Sequence, residues 1–361
     1  MSTAISIEQL DPNFIVSEEI TEENIVWLDA KTVPFSLHGI FYDDSMQCFL
    51  RMSASVAETV SKGVADLNHC TAGGRIRFVT DSDFIGIKAV QKNRPGMRHM
   101  PRTGQSGFDL YRKKEGDLRP FYYTTFKPAV TCIDGFSASL QTDGVLAEYT
   151  LNFPLYDKVS EVYIALRKGC RIEAPRPYQH PKPVLFYGSS ITQGGCATRP
   201  GNSYQGMLSV LLDTDYINLG FSGNAKGEPA MAEYIAKQEM SVFVCDYDHN
   251  APNAEYLEQT HLPFYRIVRA AQPNLPIVFV SAPDVGKEHQ YAPRRAVVRK
   301  TYETAIAEGD RNVYYIDGST FYHAIDLWDC TTVDGIHPTD LGFYLMAKGM
   351  EKVLKSLLGK A

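Results

Sequence analysis

The chain has 361 residues, a formal net charge of −6 and a hydrophobic content of 44%. That length exceeds one typical domain and predicts two of about 180 residues each. The acidic balance, without any Lys/Arg run, excludes a nucleic-acid partner, whose phosphates need a basic face. Met1–Asp11 lacks the charged start and apolar core of an export signal, and no apolar run reaches membrane-spanning length, so a cytoplasmic protein with no membrane partner is expected. Seven cysteines (Cys48, Cys70, Cys132, Cys170, Cys196, Cys245 and Cys330) are odd in number and show no C-x-x-C spacing. Reduced thiols are therefore expected, with neither a disulfide framework nor a zinc site.

From Asn13 to about Arg176, apolar and polar residues alternate rather than recur at helical spacing. Arg75–Thr80, Phe84–Ala89, Phe121–Thr124, Ala147–Leu151 and Val159–Leu166 read as strands with one buried face. Val56, Val60, Val64 and Leu67 predict a helix over Ser53–Leu67, with Ser53 as its N-cap. Short strands separated by Gly, Pro and Asp predict a jelly-roll-like β-sandwich. Phe121, Tyr122 and Tyr123 could stack on sugar rings, although alternation places at least two of the three in the strand's core. Arg98, His99, Arg102 and Asp109 are polar enough to line a wall over a cleft, and surface salt bridging accounts for them equally well.

Ala174–Pro183 holds four prolines in ten residues and reads as a stiff extended connector. Residues 1–174 are expected to form the sandwich module, 175–183 the linker and 184–361 a second domain. In that domain strands are expected at Val184–Tyr187, Asp215–Leu219, Val242–Cys245, Ile277–Val280 and Val313–Ile316. Helices are expected near Ser203–Leu212, Glu228–Lys237, Asn253–Ala271, Arg294–Ala307 and Thr339–Leu358. The alternation predicts an α/β fold, a parallel sheet covered by helices on both faces.

Chemistry-bearing residues gather at the strand ends. The run Val184-Leu185-Phe186-Tyr187 stops at Gly188-Ser189-Ser190, which places a serine where open α/β sheets put their ligand-binding groups. In Asp334-Gly335-Ile336-His337, an Asp three residues before a His can hold one ring nitrogen and leave the other free to take a proton. Taken singly, each reads as well as an N-cap serine or a surface loop. Asn218-Leu219-Gly220-Phe221-Ser222-Gly223 closes the next strand, and Asp246-Tyr247-Asp248-His249-Asn250 the one after. The last block also places four potential metal ligands within five residues, but no second His/Asp cluster lies at a matching strand end except the Asp334-x-x-His337 pair already used, so no metal and no cofactor are expected.

These four ordered blocks resemble the SGNH (GDSL-type) hydrolases over Pro181–Leu358, about half the chain. Gly107-Phe108-Asp109-Leu110-Tyr111 is similar to the G-x-D-L-Y signature of an N-terminal module that accompanies some SGNH esterases. The resemblance implies a flavodoxin-like sheet, Ser190 as nucleophile, Asp334 and His337 completing a triad, and Ser190, Gly223 and Asn250 as oxyanion-hole donors. It also implies a small-molecule or oligosaccharide ester substrate, chiefly acetylated carbohydrate. Two positions depart from the family pattern: Ser189 replaces an Asp, and Asp248-His249-Asn250-Ala251 replaces Gly-x-Asn-Asp. An acyltransferase or thioesterase would use the same triad, and a non-catalytic carbohydrate-binding protein would need none of it. The oligomeric state is left open.

Overall fold

The computed structural model describes residues 20–92, 96–128 and 134–359; Met1–Asp11 and Cys132 lie outside them. Five parallel strands form the sheet of the C-terminal half, in the spatial order Thr214–Gly220, His180–Gly188, Val242–Asp246, Ile277–Val280, Val313–Ile316. This is the flavodoxin-like order, in which the chain leaves the first strand toward one edge and returns to build toward the other. Period-two alternation sends Leu185, Tyr187, Phe243, Cys245, Ile277 and Phe279 to one face. Val184, Phe186, Val242, Val244, Val278 and Val280 go to the other. Helices Pro229–Ala236, Ala254–Ala271 and Glu288–Ala307 cover the first face, and Tyr204–Leu212 and Asp340–Leu358 the second.

Several helix ends follow the sequence signals. Ser203, Asn253 and Thr339 each accept a hydrogen bond from a first-turn amide of the helix they precede. Two expectations are corrected. The first parallel strand begins at His180, inside the proline-rich stretch, because Pro181 and Pro183 lie at its irregular start, where regular pairing has not begun and their missing N–H groups cost little. The helix expected over Ser53–Leu67 is two, Ala54–Val60 and Lys62–Asn68, because Ser61 turns extended and caps the second by accepting from the Val64 amide. Both pack, through Ala57, Val64 and Leu67, on the first face of the parallel sheet rather than on the sandwich.

The N-terminal half carries two larger antiparallel sheets besides the two-stranded pairing of Phe41–Asp43 with Cys48–Leu50. One runs Ile25–Asp29, Lys158–Arg167, Phe84–Lys92, Phe136–Gln141, and the other Ile172–Glu173, Arg75–Thr80, Ala147–Asn152, Phe108–Lys114, Phe121–Phe126. Ile85, Ile87, Val162 and Ile164 of the first meet Ile76, Phe78, Leu110 and Tyr149 of the second in a shared core. Phe121 and Tyr122 are both exposed, against the alternation argument, because Phe121–Phe126 is the outermost strand of its sheet and its first residues lie beyond the shared core.

The G-x-D-L-Y stretch joins the halves. Asp109, fully buried rather than lining a cleft, accepts from Asn152 (2.8 Å), Arg199 (2.8 Å) and the Gly201 amide (2.9 Å). Tyr111 Oη accepts from the same Arg199 at 2.6 Å. A Cβ at Gly201 would lie 2.5 Å from the Tyr111 ring, so only glycine allows this approach. Burial pushes the Asp109 carboxyl upward, so its three donors are what make the buried charge tolerable. Asp109→Ala removes their common acceptor and is expected to lower stability in urea by about 3 kcal/mol. Removal of the exposed Leu118 side chain by Leu118→Ala is expected to change it by no more than about 0.5 kcal/mol.

Candidate active site

The first parallel strand ends at Gly188, and Ser189 caps the next turn by accepting from the Ile191 amide at 3.2 Å. Serine thus does the capping that the resemblance assigns to aspartate. Ser190 is the first residue of the short helix Ser190–Gln193, which Gly194 closes with φ +103°. Its Oγ lies 2.9 Å from His337 Nε2, and His337 Nδ1 lies 2.8 Å from Asp334 Oδ2.

The Asp334–His337 loop is braced by its own backbone. Asp334 Oδ1 accepts from the Ile336 (3.0 Å) and His337 (2.8 Å) amides, and Val333 N–H donates to the His337 carbonyl (2.8 Å). Gly335 takes φ +78°, and its carbonyl accepts from Lys287 Nζ at 3.0 Å. Partial burial works against the Asp334 charge, but hydrogen bonds from the His337 amide and ring hold the carboxyl below its ordinary range. It is therefore an anion facing the imidazole at neutral pH.

The second and third blocks are tied to this turn. Asn218 is structural: its Nδ2 donates to the Thr192 carbonyl at 2.8 Å, behind the serine helix. Phe221 N–H donates to the Gly188 carbonyl (2.9 Å), and Ser222 N–H to Gln193 Oε1 (3.0 Å). These bonds hold the Gly223 turn against the serine helix, and Gly223 takes φ +69°. Asn250 Nδ2 donates to the Phe221 carbonyl at 2.9 Å, which anchors one amide hydrogen to that turn and, among the described residues, leaves the other unspent. Asp248–Asn250 forms a 3₁₀ turn, with Asp248 outside the left-handed region, so the backbone does not require the glycine of the family pattern.

The acidic block does not gather as a metal site. Asp246 Oδ2 accepts from Tyr204 Oη (3.1 Å) and Thr192 Oγ1 (3.2 Å), whereas Asp248 Oδ2 accepts from the Ala282 amide (2.8 Å). Burial raises both carboxyls, that of Asp248 to about 6. His249 packs edge-on against Tyr291, ring centroids 4.9 Å apart, and burial lowers its pKa to about 3, so it stays neutral. The group with metal-ligand geometry among the described residues is His99, Cys196 and His337. Of the wall residues proposed from sequence, His99 reaches the site, its ring centroid 5.1 Å from that of His337. Lys287 and Cys196 carried no signal in the sequence, because their roles depend on loops that meet only in the fold.

Residues 181–355 match the GDSL-like Lipase/Acylhydrolase family, and residues 25–172 match the N-terminus of the SGNH-hydro-type esterases. The chain belongs to the SGNH (GDSL-type) hydrolases, in their two-part form with a G-x-D-L-Y N-terminal domain. It is similar to a solved protein of Bacteroides ovatus described as a GDSL-like lipase, with 26% identity and a TM-score of 0.83, over 93% of this chain and 98% of that one. It also shares its fold with the salicylyl-acyltransferase SsfX3 of a tetracycline biosynthetic pathway (18% identity, TM-score 0.72, 93% and 98% covered). A family two carbohydrate esterase from Cellvibrio japonicus shares it too (14% identity, TM-score 0.61, 93% and 98% covered). No curated protein sequence matches the chain. No helix among the described residues is long and apolar enough to cross a membrane.

The raised Asp248 carboxyl has a pH signature. The folded protein holds this proton more tightly than the unfolded chain, so its contribution to stability is full below about pH 4 and is lost as pH rises through about 6. Asp248→Asn keeps an acceptor for the Ala282 amide and cannot ionise. Its urea midpoint is expected to match the parent protein near pH 4 and to exceed it at pH 8; a constant difference at both would contradict the buried acid.

Proposed function

We propose that the protein is a serine esterase that removes small acyl groups, chiefly acetyl, from a carbohydrate, through an acyl-enzyme on Ser190. The observation that carries this reading is the continuous relay from Ser190 Oγ through His337 to Asp334, with links of 2.9 and 2.8 Å, the first between residues 147 positions apart in the chain. His337 takes the hydroxyl proton through Nε2 as Oγ attacks the ester carbonyl. Asp334, already an anion, fixes the ring with Nδ1–H toward itself and stabilises the imidazolium. The proton passes to the departing alcohol, and water then enters by the same route to release the acid.

In this reading the developing oxyanion is met by the backbone N–H groups of Ser190 and Gly223 and by the unspent amide hydrogen of Asn250. The exposed rings of Phe121 and Tyr122 line a groove of about 550 Å³ with Arg199, Asn202 and Tyr344, a surface suited to stacking a sugar chain. The carbohydrate esterase with the same fold supports that substrate class. The acyltransferase fold-mate favours a second reading, in which an alcohol rather than water accepts the acyl group.

Ser190→Ala is expected to abolish release of p-nitrophenol from p-nitrophenyl acetate; an unchanged rate would overturn the nucleophile. Asn250→Ala is expected to lower kcat by roughly 100- to 1000-fold, the worth of one oxyanion donor at about 3 to 4 kcal/mol. Acetate release from acetylated xylo- or manno-oligosaccharides, at rates above those for long-chain p-nitrophenyl esters, supports the carbohydrate esterase. Rates that rise with added alcohol, with ester product in place of acid, support the transferase instead.

A further inference from the structure

We propose that His99, Cys196 and His337 form a binding site for a borderline-soft divalent cation, zinc above all, and that occupancy of this site switches the esterase off. One ligand-type atom from each residue lies within 4.8 Å of the others. The three come from separate places: His99 from the N-terminal half, Cys196 just beyond the serine helix, and His337 from the loop before the last helix. Cys196 holds a left-handed backbone, φ +77°, one of four described non-glycine residues with positive φ. Such a conformation is rare for a side chain that needs none, and here it aims a buried thiol at two imidazoles. Among the described residues no hydrogen bond engages the His99 ring, so it has a nitrogen to offer.

Two imidazoles and a thiolate suit zinc and discriminate against magnesium and calcium, which take oxygen ligands. Bond lengths to zinc imply ligand separations of about 3.3 to 3.6 Å, so closure asks each side chain to move by about 1 Å. His337 is already oriented as metal-bound histidines are, with Nδ1 held by the Asp334 carboxylate and Nε2 facing outward. The metal takes the Nε2 lone pair in place of the Ser190 hydroxyl, the Cys196 thiol proton leaves to solvent, and the fourth position remains for water. With that lone pair engaged, the ring cannot accept the serine proton. The inhibitory half of the proposal rests on the esterase reading; the binding half does not.

The test uses the full chain and two readouts. Cobalt(II) titration should give the near-ultraviolet charge-transfer band of a thiolate–cobalt bond, displaced by zinc and unaffected by magnesium. Zinc should suppress p-nitrophenyl acetate hydrolysis reversibly, with recovery in EDTA. Cys196→Ser should erase the band, and both Cys196→Ser and His99→Ala should weaken zinc binding, measured calorimetrically, by at least about tenfold, the lower range seen even when an outer partner is lost. Ser190→Ala should still bind zinc, which separates this site from the nucleophile. Absence of the cobalt band, or zinc affinity equal in parent, Cys196→Ser and His99→Ala, would overturn the site. Zinc binding through these ligands with hydrolysis undiminished would overturn the switch.

Discussion

The site depends on the register of three parallel strands. Gly188 pairs with Gly220 on one side and with Asp246 on the other, so the three strands end at one level. The chain beyond each end must then turn within the same layer, and the turns beginning at Ser189, Phe221 and Tyr247 become neighbours without any being long. A shift by one residue would turn every alternating side chain of a strand to the opposite face, against two apolar cores that hold the sheet from both sides. Core packing therefore fixes the height of the serine turn, and the hydrogen bonds from Phe221, Ser222 and Asn250 only finish the alignment.

The edge of that sheet is where the N-terminal half attaches. An edge strand exposes unpaired backbone groups. Here Arg51 donates to the carbonyls of Asn218 (3.2 Å) and Gly220 (2.6 Å), and Arg75 donates to that of Tyr216 (3.0 Å). The same Arg75 stacks on the Tyr216 ring and pairs with Asp215, while His38 holds the other Asp215 oxygen at 2.8 Å. Together with the Asp109–Arg199 contact, these bonds bring the segment carrying His99 beside His337. The N-terminal half thus reaches the reaction centre through His99 and through Tyr156, whose Oη donates to the Ser190 carbonyl at 3.4 Å, while other polar contacts secure the sheet's edge.

Much of this was legible in the chain. The five parallel strands announced themselves because runs buried on both faces are apolar throughout, and caps such as Ser203, Asn253 and Thr339 are local chemistry. Ser190, Asp334 and His337 stood out because their neighbours restrict what the backbone can do. What escaped was set by tertiary context. Pro181 and Pro183 read as linker because sequence does not reveal that pairing starts irregularly. Phe121 and Tyr122 read as strand core because alternation does not reveal that their strand lies at the edge of its sheet. His99 had a polar side chain and no pattern, so only the closing of one half on the other gave it a place.

The central claim is that the Ser190 oxygen becomes acylated. Rapid quenching of the protein with p-nitrophenyl acetate, followed by peptide mass spectrometry, reads that bond directly. The account expects one acetyl group on the peptide containing Ser190, on that serine and not on Ser189, and no such adduct in His337→Ala. An acetyl group carried on another residue, or turnover without any covalent intermediate under conditions that trap one in other serine esterases, would contradict it.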